Sequence, residues 1–210
     1  TRRYNRFLAF DHRSGSVTCE SGVTLAEVLD VAVRKGWFLK ITPGTKFVSL
    51  GGAIASDVHG KNHHIDGSFS SCVSSFTLLT AAGKTIECSR AVNPDIFFAT
   101  FGGMGLTGVI LNVEFNLIPI SSAYISQTTI KAANLKEAMA AFDSVKDTTY
   151  SVAWIDCLAK GNSLGRSLVM AGEHASISEL SLNIKATPLI VQAKPTLSVP
   201  FNFPTWLLNK

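Results

Sequence analysis

The sequence is short of charged residues and lacks long apolar runs, and each shortage excludes a class of protein. Charged side chains make up 16% of the 210 residues and hydrophobic ones 46%, so the chain is long and apolar enough to bury a core. No window reaches the roughly 18 consecutive apolar residues that span a bilayer. We therefore expect a globular chain without a transmembrane segment.

Positive charge is present but is not concentrated. The 19 Lys and Arg residues exceed the 15 acidic residues by four, yet they are scattered and form no run that could follow a phosphate backbone. Nucleic-acid binding is therefore not expected. The mild excess suits an anionic small-molecule partner and equally suits no partner, because such a balance mostly reflects solvated surface.

Closely spaced cysteines are also missing, since the four lie far apart at Cys19, Cys72, Cys88 and Cys157. Without a CxxC pair or a His-ligand spacing, they predict reduced, mostly buried thiols and neither a zinc site nor a disulfide framework. The features of a signal peptide are absent, which favours a cytoplasmic location; a location at the membrane surface or in the periplasm stays open. Thr1 and the apolar stretch 201–210 look like cut ends, so we expect a piece of a longer chain.

Apolar periodicity and turn residues predict short elements. A hairpin is expected in residues 7–20, followed by a helix that begins with a capping box of Thr24 and Glu27 and stops at Gly36. Asn93, which precedes a proline, predicts the cap of another helix. Further strands are predicted at residues 73–80, 85–88, 109–117, 124–130, 150–157 and 167–171, with a helix capped by Asn134 among them.

The pattern of predicted strands and helices changes near Ile120. Before it, the strand at 109–117 alternates so that Val109, Leu111 and Val113 should face the core. After Ile120, the sequence predicts a separate group of strands with one helix. We predict an α+β fold with one domain in residues 1–120 and part of a second in residues 121–210.

Glycines dominate the stretch between residues 43 and 60. Those at Gly44, Gly51, Gly52 and Gly60 let the backbone approach a ligand, and clustered amides can hold a pyrophosphate. The spacing is neither the dinucleotide G-x-G-x-x-G motif nor a P-loop. A Gly-rich turn that begins a helix of small residues is an equally good interpretation.

Three histidines, His59, His63 and His64, follow beside Lys61. Neighbouring side chains such as His63 and His64 tend to diverge, and no carboxylate completes a familiar ligand spacing, so we predict no metal site. A solvated or hydrogen-bonded role and contact with an anion or substrate both stay open.

Two further patterns have a structural and a functional interpretation. The segment Gly102–Gly108 predicts either a tight turn into a strand or a second ligand loop, and Tyr150 with Trp154 on one strand face predicts either packing or a ligand wall. No serine lies in a G-x-S-x-G turn, which argues against acyl hydrolysis.

Together these motifs resemble the FAD-binding domain of the vanillyl-alcohol-oxidase-type flavoproteins, the FAD-linked oxidases with a PCMH-type domain. The segments that carry the resemblance are 43–45, 51–64, 67–69, 78–81 and 97–108. The block His59-Gly60-Lys61-Asn62-His63-His64 is more specific, because it resembles the oxidases of the decaprenylphosphoryl-β-D-ribose type. These oxidise a ribose 2′-hydroxyl to a ketone during arabinan synthesis for the cell wall. The resemblance runs through nearly the whole chain and weakens after Ile120.

The resemblance implies a PCMH-type FAD-binding domain, a mixed sheet with flanking helices, followed by part of an α+β substrate or cap domain. It implies FAD as the cofactor, with contacts at Gly44, Thr45, Ser49, Gly51, Gly52, Ser56, Asp57, His59, Gly60, Asn62 and Ile110. His59 and Lys61 are the implied catalytic residues, and His59, Gly60, Lys61 and Trp154 the implied substrate contacts, with Lys61 placed to attract a polyprenyl phosphate. A polyprenyl-linked or other sugar is the implied substrate, and a short-chain dehydrogenase that reduces the keto product is an implied partner.

Two parts of the family pattern lie outside the sequence. A first Gly-rich flavin loop of the G-R-x-x-G-D type would precede Thr1, and the remaining cap-domain strands would follow Lys210. We therefore expect this piece to bind FAD poorly and to turn over no substrate by itself. Two alternatives stay open: another FAD-linked sugar or aldonolactone oxidase, and a flavin-free binding protein that retains the fold.

Overall fold

The structure is a computed structural model that describes residues 3–191 and Pro204. Its strands are β1 (Phe7–Phe10), β2 (Ser16–Glu20), β3 (Trp37–Leu39), β4 (Val73–Leu79), β5 (Thr85–Ser89), β6 (Val109–Pro119), β7 (Ile125–Ala132), β8 (Tyr150–Ile155) and β9 (Ser167–His174). Its α-helices are α1 (Leu25–Ala32), α2 (Leu50–Ala55), α3 (His63–Asp66), α4 (Pro94–Thr100), α5 (Leu135–Ser144) and α6 (Leu182–Lys185). Short 3₁₀ helices cover Val33–Lys35, Phe69–Ser71, Gly161–Ser163 and Ile177–Glu179.

The larger sheet is built around β6. The strand order is β1-β2-β6-β4-β5, and β3 pairs with the last residues of β6. All of these pairs are antiparallel, so the described residues contain no parallel part of the mixed sheet that the resemblance implies. Phe69, Phe97 and Phe115 are fully buried, and each such side chain contributes on the order of 1.5–3 kcal/mol when removed from water.

A bulge in the β4–β6 ladder changes which residue of β6 faces the core. The register shifts between Phe76 and Leu78, and a bulge moves the following side chains to the other face. As a result Ile110 is buried, whereas Val109 is 47% exposed. The prediction of Val109 as a core residue is therefore wrong, because strict alternation does not include the bulge.

Local capping signals are confirmed at α1. The Thr24 side chain accepts a hydrogen bond from the Glu27 backbone, and the Glu27 carboxylate accepts one from the Thr24 backbone in return. Gly36 ends the following turn with φ +81°. The cap at Asn93 is wrong in detail: its side-chain amide donates to the carbonyl oxygen of Glu87 at 2.7 Å and does not cap α4.

The smaller sheet follows the larger one in sequence. Its order is β7-β9-β8, all antiparallel, and α5 begins as predicted with Asn134, whose side chain accepts from the Glu137 backbone. The α+β class is confirmed. The boundary at Ile120 stays a prediction; the larger sheet ends at Pro119 and the smaller begins at Ile125. The last part of the predicted second domain, from 192 onwards except Pro204, lies outside the described residues.

None of the helices in the described part of the chain combines the length and the hydropathy of a membrane-spanning segment.

Candidate functional site

The glycine-rich stretch forms α2 and the loops at its two ends. Leu50, Ala53 and Ile54 form the buried side of the helix, whereas Gly52 and Ser56 lie on its exposed side. This side therefore carries only small residues. The interpretation of the stretch as a helix of small residues is confirmed, and its exposed side is smooth enough for a flat or extended ligand to lie against the backbone.

The second glycine segment lies against the end of α2. Backbone amides of Gly102 and Met104 donate to the carbonyl oxygens of Ile54 and Ala55, at 3.2 and 2.8 Å. Beyond this turn, Met104 is 72% exposed and Leu106 is 91% exposed. The fold thus brings together two glycine segments that are about 50 residues apart in sequence, and hydrogen bonds join their backbones.

Asp57 connects the end of α2 to the next loop. Its backbone is left-handed, with φ +40°, a conformation that an aspartate adopts at a cost and that its surroundings must hold. The hydroxyl of Ser68 and the backbone amide of Ser70 donate to its carboxylate at 2.8 and 3.0 Å. Asp57 therefore fixes the change in backbone direction between the end of α2 and residues 58–60.

Some of the predicted cofactor glycines have a packing role. A Cβ on Gly51 would lie 3.1 Å from the Cβ of Ser21, and one on Gly60 would lie 2.5 Å from the carbonyl oxygen of Thr42. The first amides of α2 are also already used, because Gly51 donates to the Ser21 carbonyl at 2.8 Å and Gly52 to the Ser49 hydroxyl at 3.2 Å. The amides that begin α2 are therefore poor candidates for holding a diphosphate, although cofactor contact at these positions stays a prediction.

Other predicted positions leave room for a nucleotide. A Cβ added at Gly44 or Gly105 would meet nothing within 4 Å, and Thr45 is exposed beside Gly44. Next to this loop, Phe47 is 76% exposed. Open backbone, a hydroxyl and an aromatic side chain are what a diphosphate and a flat ring system require, so the loop at residues 44–47 fits a part of FAD. Ile110 is a buried residue of β6, and only its backbone could contribute to such a site.

A cavity of about 350 Å³ lies between the smaller sheet and the loop after β3. Lys61 and Trp154, which the resemblance implies as substrate contacts, both line it, together with Phe38, Thr42, Ile125, Gln127, Tyr150, Val152, Met170, Ala171 and Gly172. The walls are mostly apolar, with one lysine and a few neutral polar groups. The structure therefore places Lys61 and Trp154 at one cavity even though they are far apart in sequence.

The loop that carries Lys61 is held from two sides. The Lys61 carbonyl oxygen accepts a hydrogen bond from the backbone amide of Ser151 in β8, at 2.9 Å. The neighbouring Asn62 is fully buried, and its side-chain amide donates to the Lys40 carbonyl at 2.8 Å and to the Asp66 carboxylate at 2.7 Å. Asn62 therefore positions the loop, and its predicted contact with the cofactor stays untested.

The three histidines do not form one cluster. The rings of His59 and His63 are 5.6 Å apart, and those of His63 and His64 are 6.1 Å apart. His64 turns to the smaller sheet, where its Nε2 donates to the carbonyl oxygen of Thr148 at 3.0 Å. In the part of the chain that is described, no three His, Cys, Asp or Glu side chains converge as metal ligands.

The polar pair of Tyr150 and His174, beside the cavity, was only partly predicted from the sequence. Tyr150 and Trp154 share one face of β8, as alternation predicts, and the Tyr150 hydroxyl lies 3.1 Å from Nε2 of His174. Burial raises the pKa of Tyr150 to about 12 and lowers the pKa of His174. The ring of Phe38 meets His174 edge to face at 4.9 Å. No local signal marks His174 or Phe38, because their proximity arises from the packing of two sheets.

Comparison with known proteins agrees with this geometry. Residues 1–89 match the family model described as FAD binding domain. The chain is 37% identical to decaprenylphosphoryl-beta-D-ribose oxidase of Mycolicibacterium smegmatis over 209 residues, which is 98% of this chain and 45% of that protein. It is 34% identical to L-gulonolactone oxidase of Scyliorhinus torazame over 127 residues, 60% of this chain and 28% of that protein. It is also 28% identical to D-arabinono-1,4-lactone oxidase of Yarrowia lipolytica over 57% of this chain and 23% of that protein.

The chain thus spans half or less of the length of these relatives. The family match contains strands β1 to β5 and the whole of α2. FAD is the cofactor that this match indicates. Residues 1–89 therefore match an FAD binding domain of the PCMH type, and nearly the whole chain is similar to part of an oxidase.

Proposed function

We propose that the complete protein is an FAD-dependent oxidase that converts a secondary hydroxyl of a sugar to a ketone, with the 2′-hydroxyl of a polyprenylphosphoryl-β-D-ribose as its substrate. One observation carries this proposal: Lys61 and Trp154 line the same cavity of about 350 Å³. A cation beside an aromatic face in an otherwise apolar cavity suits a sugar that carries both a phosphate and an apolar chain.

The residues of this chain have distinct roles in the proposal. Lys61 attracts the phosphate of the substrate, and the exposed face of Trp154 packs against the apolar faces of the sugar. The general base would be His59, a role that rests on the resemblance, because His59 lies two residues before Lys61 and is not among the residues that line the cavity. FAD would supply the two-electron oxidation of the carbon that bears this hydroxyl, so that the alcohol becomes a ketone with the loss of two electrons and two protons. The surface around Gly44 and Gly105 would hold the nucleotide.

The proposal is tested with the complete protein loaded with FAD. Anaerobic addition of the phosphoribosyl lipid should bleach the flavin absorbance, and the product should carry a ketone at C2′. We expect Lys61→Gln to raise KM with little change in kcat, because it removes binding energy. His59→Gln should lower kcat by about 10²–10⁴ because it removes the base.

Lys84→Gln is the matched control, because Lys84 is an exposed lysine in the turn between β4 and β5. Its kinetic constants should equal those of the unmodified protein. A complete protein that contains no flavin, and cannot be reconstituted with it, contradicts the proposal and supports a binding protein that retains the fold.

An aldonolactone oxidase is the second candidate, favoured by the similarity to L-gulonolactone oxidase and D-arabinono-1,4-lactone oxidase. A substrate panel with a dye as electron acceptor separates the two candidates. Reduction of the dye by an aldonolactone, but not by the lipid-linked ribose, would replace the first candidate with the second.

The keto product of the proposed reaction requires a reductase. We propose a short-chain dehydrogenase as that partner, in the cytoplasm or at a membrane surface where a lipid-linked sugar is accessible. Copurification of a dehydrogenase that reduces the keto product would support this arrangement, and a keto product that accumulates in cells would contradict it.

A further inference from the structure

A second cavity, of about 410 Å³, is also lined by Lys61. Its other lining residues include His63, His64, Asp143, Lys146 and Ser151. Two lysines and two imidazoles therefore surround one space, against a single lining carboxylate, that of Asp143. Lys146 lies more than 80 residues beyond the histidines in the chain, so no local sequence pattern connects them.

The groups come from two separate parts of the fold that are fastened together. His63 and His64 begin α3, whereas Lys146 follows the end of α5. The hydrogen bond from His64 Nε2 to the Thr148 carbonyl, at 3.0 Å, joins the two parts. The bond from the Ser151 amide to the Lys61 carbonyl, at 2.9 Å, joins them a second time. The two lysines and the histidines therefore line one cavity because of tertiary packing.

The charges favour an oxygen anion. The ammonium groups of Lys61 and Lys146 have no carboxylate within 4.0 Å among the described residues. The nearby carboxylate of Asp66 is held by the Asn62 amide at 2.7 Å and lies 3.9 Å from Lys40, so it is engaged outside the cavity. Lysines that converge without an acidic partner bind phosphate as point charges.

We propose that this cavity binds a phosphate group, either free phosphate or the phosphate of a phosphorylated sugar. Because Lys61 lines both cavities, a sugar in the first cavity can place its phosphate in the second. This link to the substrate rests on the proposed function, whereas binding of free phosphate does not. Lys146 and His63 then select phosphorylated over unphosphorylated sugars.

The test is a titration of the complete protein with inorganic phosphate. Isothermal calorimetry and the NMR signals of the histidine rings measure the binding. Lys146→Gln should weaken phosphate binding about fivefold, equivalent to roughly 1 kcal/mol. Asp143→Asn should strengthen binding by a similar factor, since it removes the one opposing charge. Both side chains are exposed, so neither substitution should disturb folding.

Lys136→Gln is the matched control, because Lys136 is an exposed lysine on α5 that does not line the cavity. Its phosphate affinity should equal that of the unmodified protein. An equal loss in Lys136→Gln and Lys146→Gln would mean diffuse surface attraction and would overturn the site. Binding that is the same in all three variants, or no binding at all, would also overturn it.

A kinetic measurement separates this inference from the proposed function. Lys146→Gln should raise KM for the phosphorylated sugar and leave KM for the same sugar without phosphate unchanged. If both KM values stay unchanged while phosphate binding weakens, the cavity is a site for free phosphate and the link to the substrate fails. If no sugar is oxidised, the proposed function fails, and the phosphate titration still decides whether the site exists.

Discussion

Replacement of Gly60 by alanine tests how closely the loop with Lys61 packs on the loop after β3. A Cβ at this position would lie 2.5 Å from the carbonyl oxygen of Thr42 and 2.9 Å from Oδ1 of Asn62. Real Cβ atoms do not approach other atoms within 3.0 Å. The Thr42 oxygen belongs to the backbone, and Asn62 is buried with both of its amide hydrogens engaged, so neither atom can move at low cost.

The expected loss follows from this clash. Overpacking of a well-packed region costs about 1–3 kcal/mol of unfolding free energy. For a chain of about 200 residues each kcal/mol lowers Tm by about 2–4 °C, so Gly60→Ala should lower Tm by roughly 2–12 °C. The clash should also displace Lys61 and weaken any ligand that contacts it.

Thermal unfolding followed by circular dichroism measures the effect. Gly44→Ala is the control, because its Cβ would meet nothing within 4 Å, and its stability should stay within about 0.5 kcal/mol of the unmodified chain. Equal Tm values for the two variants would refute the reasoning, since they would mean that the contact between residues 60 and 42 yields without cost. If Gly44 faces the nucleotide as predicted, Gly44→Ala should instead weaken FAD binding in the complete protein.

Three further predictions concern stability and thiol reactivity. Burial lowers the pKa of His174 below its ordinary 6.5, so the unfolded chain binds a proton there more readily; stability should fall as pH drops below about 6.5, and His174→Gln should flatten that slope in urea titrations. Thr24→Ala removes the capping box with Glu27 and should cost about 0.5–2 kcal/mol, whereas exposed Thr45→Ala should change the urea midpoint little. A thiol reagent should modify only Cys157 in the native chain and all four cysteines in denaturant, because the other three are buried and burial raises the pKa of Cys19 and Cys72 to about 12. Rapid native labelling of a second cysteine would contradict that burial.

Much of the local structure was predictable because its causes are local. The capping box at Thr24, the left-handed Gly36 and the cap at Asn134 each depend on residues within a few positions. The motif order also identified the FAD binding domain. Prediction failed at Val109, where a bulge against β4 reverses the faces of β6. It was right that α4 begins after Asn93 but wrong about the cap, because the Asn93 side chain bonds to β5. Both errors involve partners from another strand.

The features of the candidate site also divide into those that depend on the local sequence and those that depend on tertiary packing. By itself the sequence determined which residues are small, basic or aromatic, and its resemblance to a flavoprotein family implied a nucleotide and an anionic sugar as ligands. Only the tertiary structure decided that Gly60 is needed for close packing, that Lys61 and Trp154 line one cavity, and that Lys146 lines another with His63 and His64. The reason is that backbone conformation and capping depend on neighbouring residues, whereas a cavity exists only after distant elements have packed and excluded water between them.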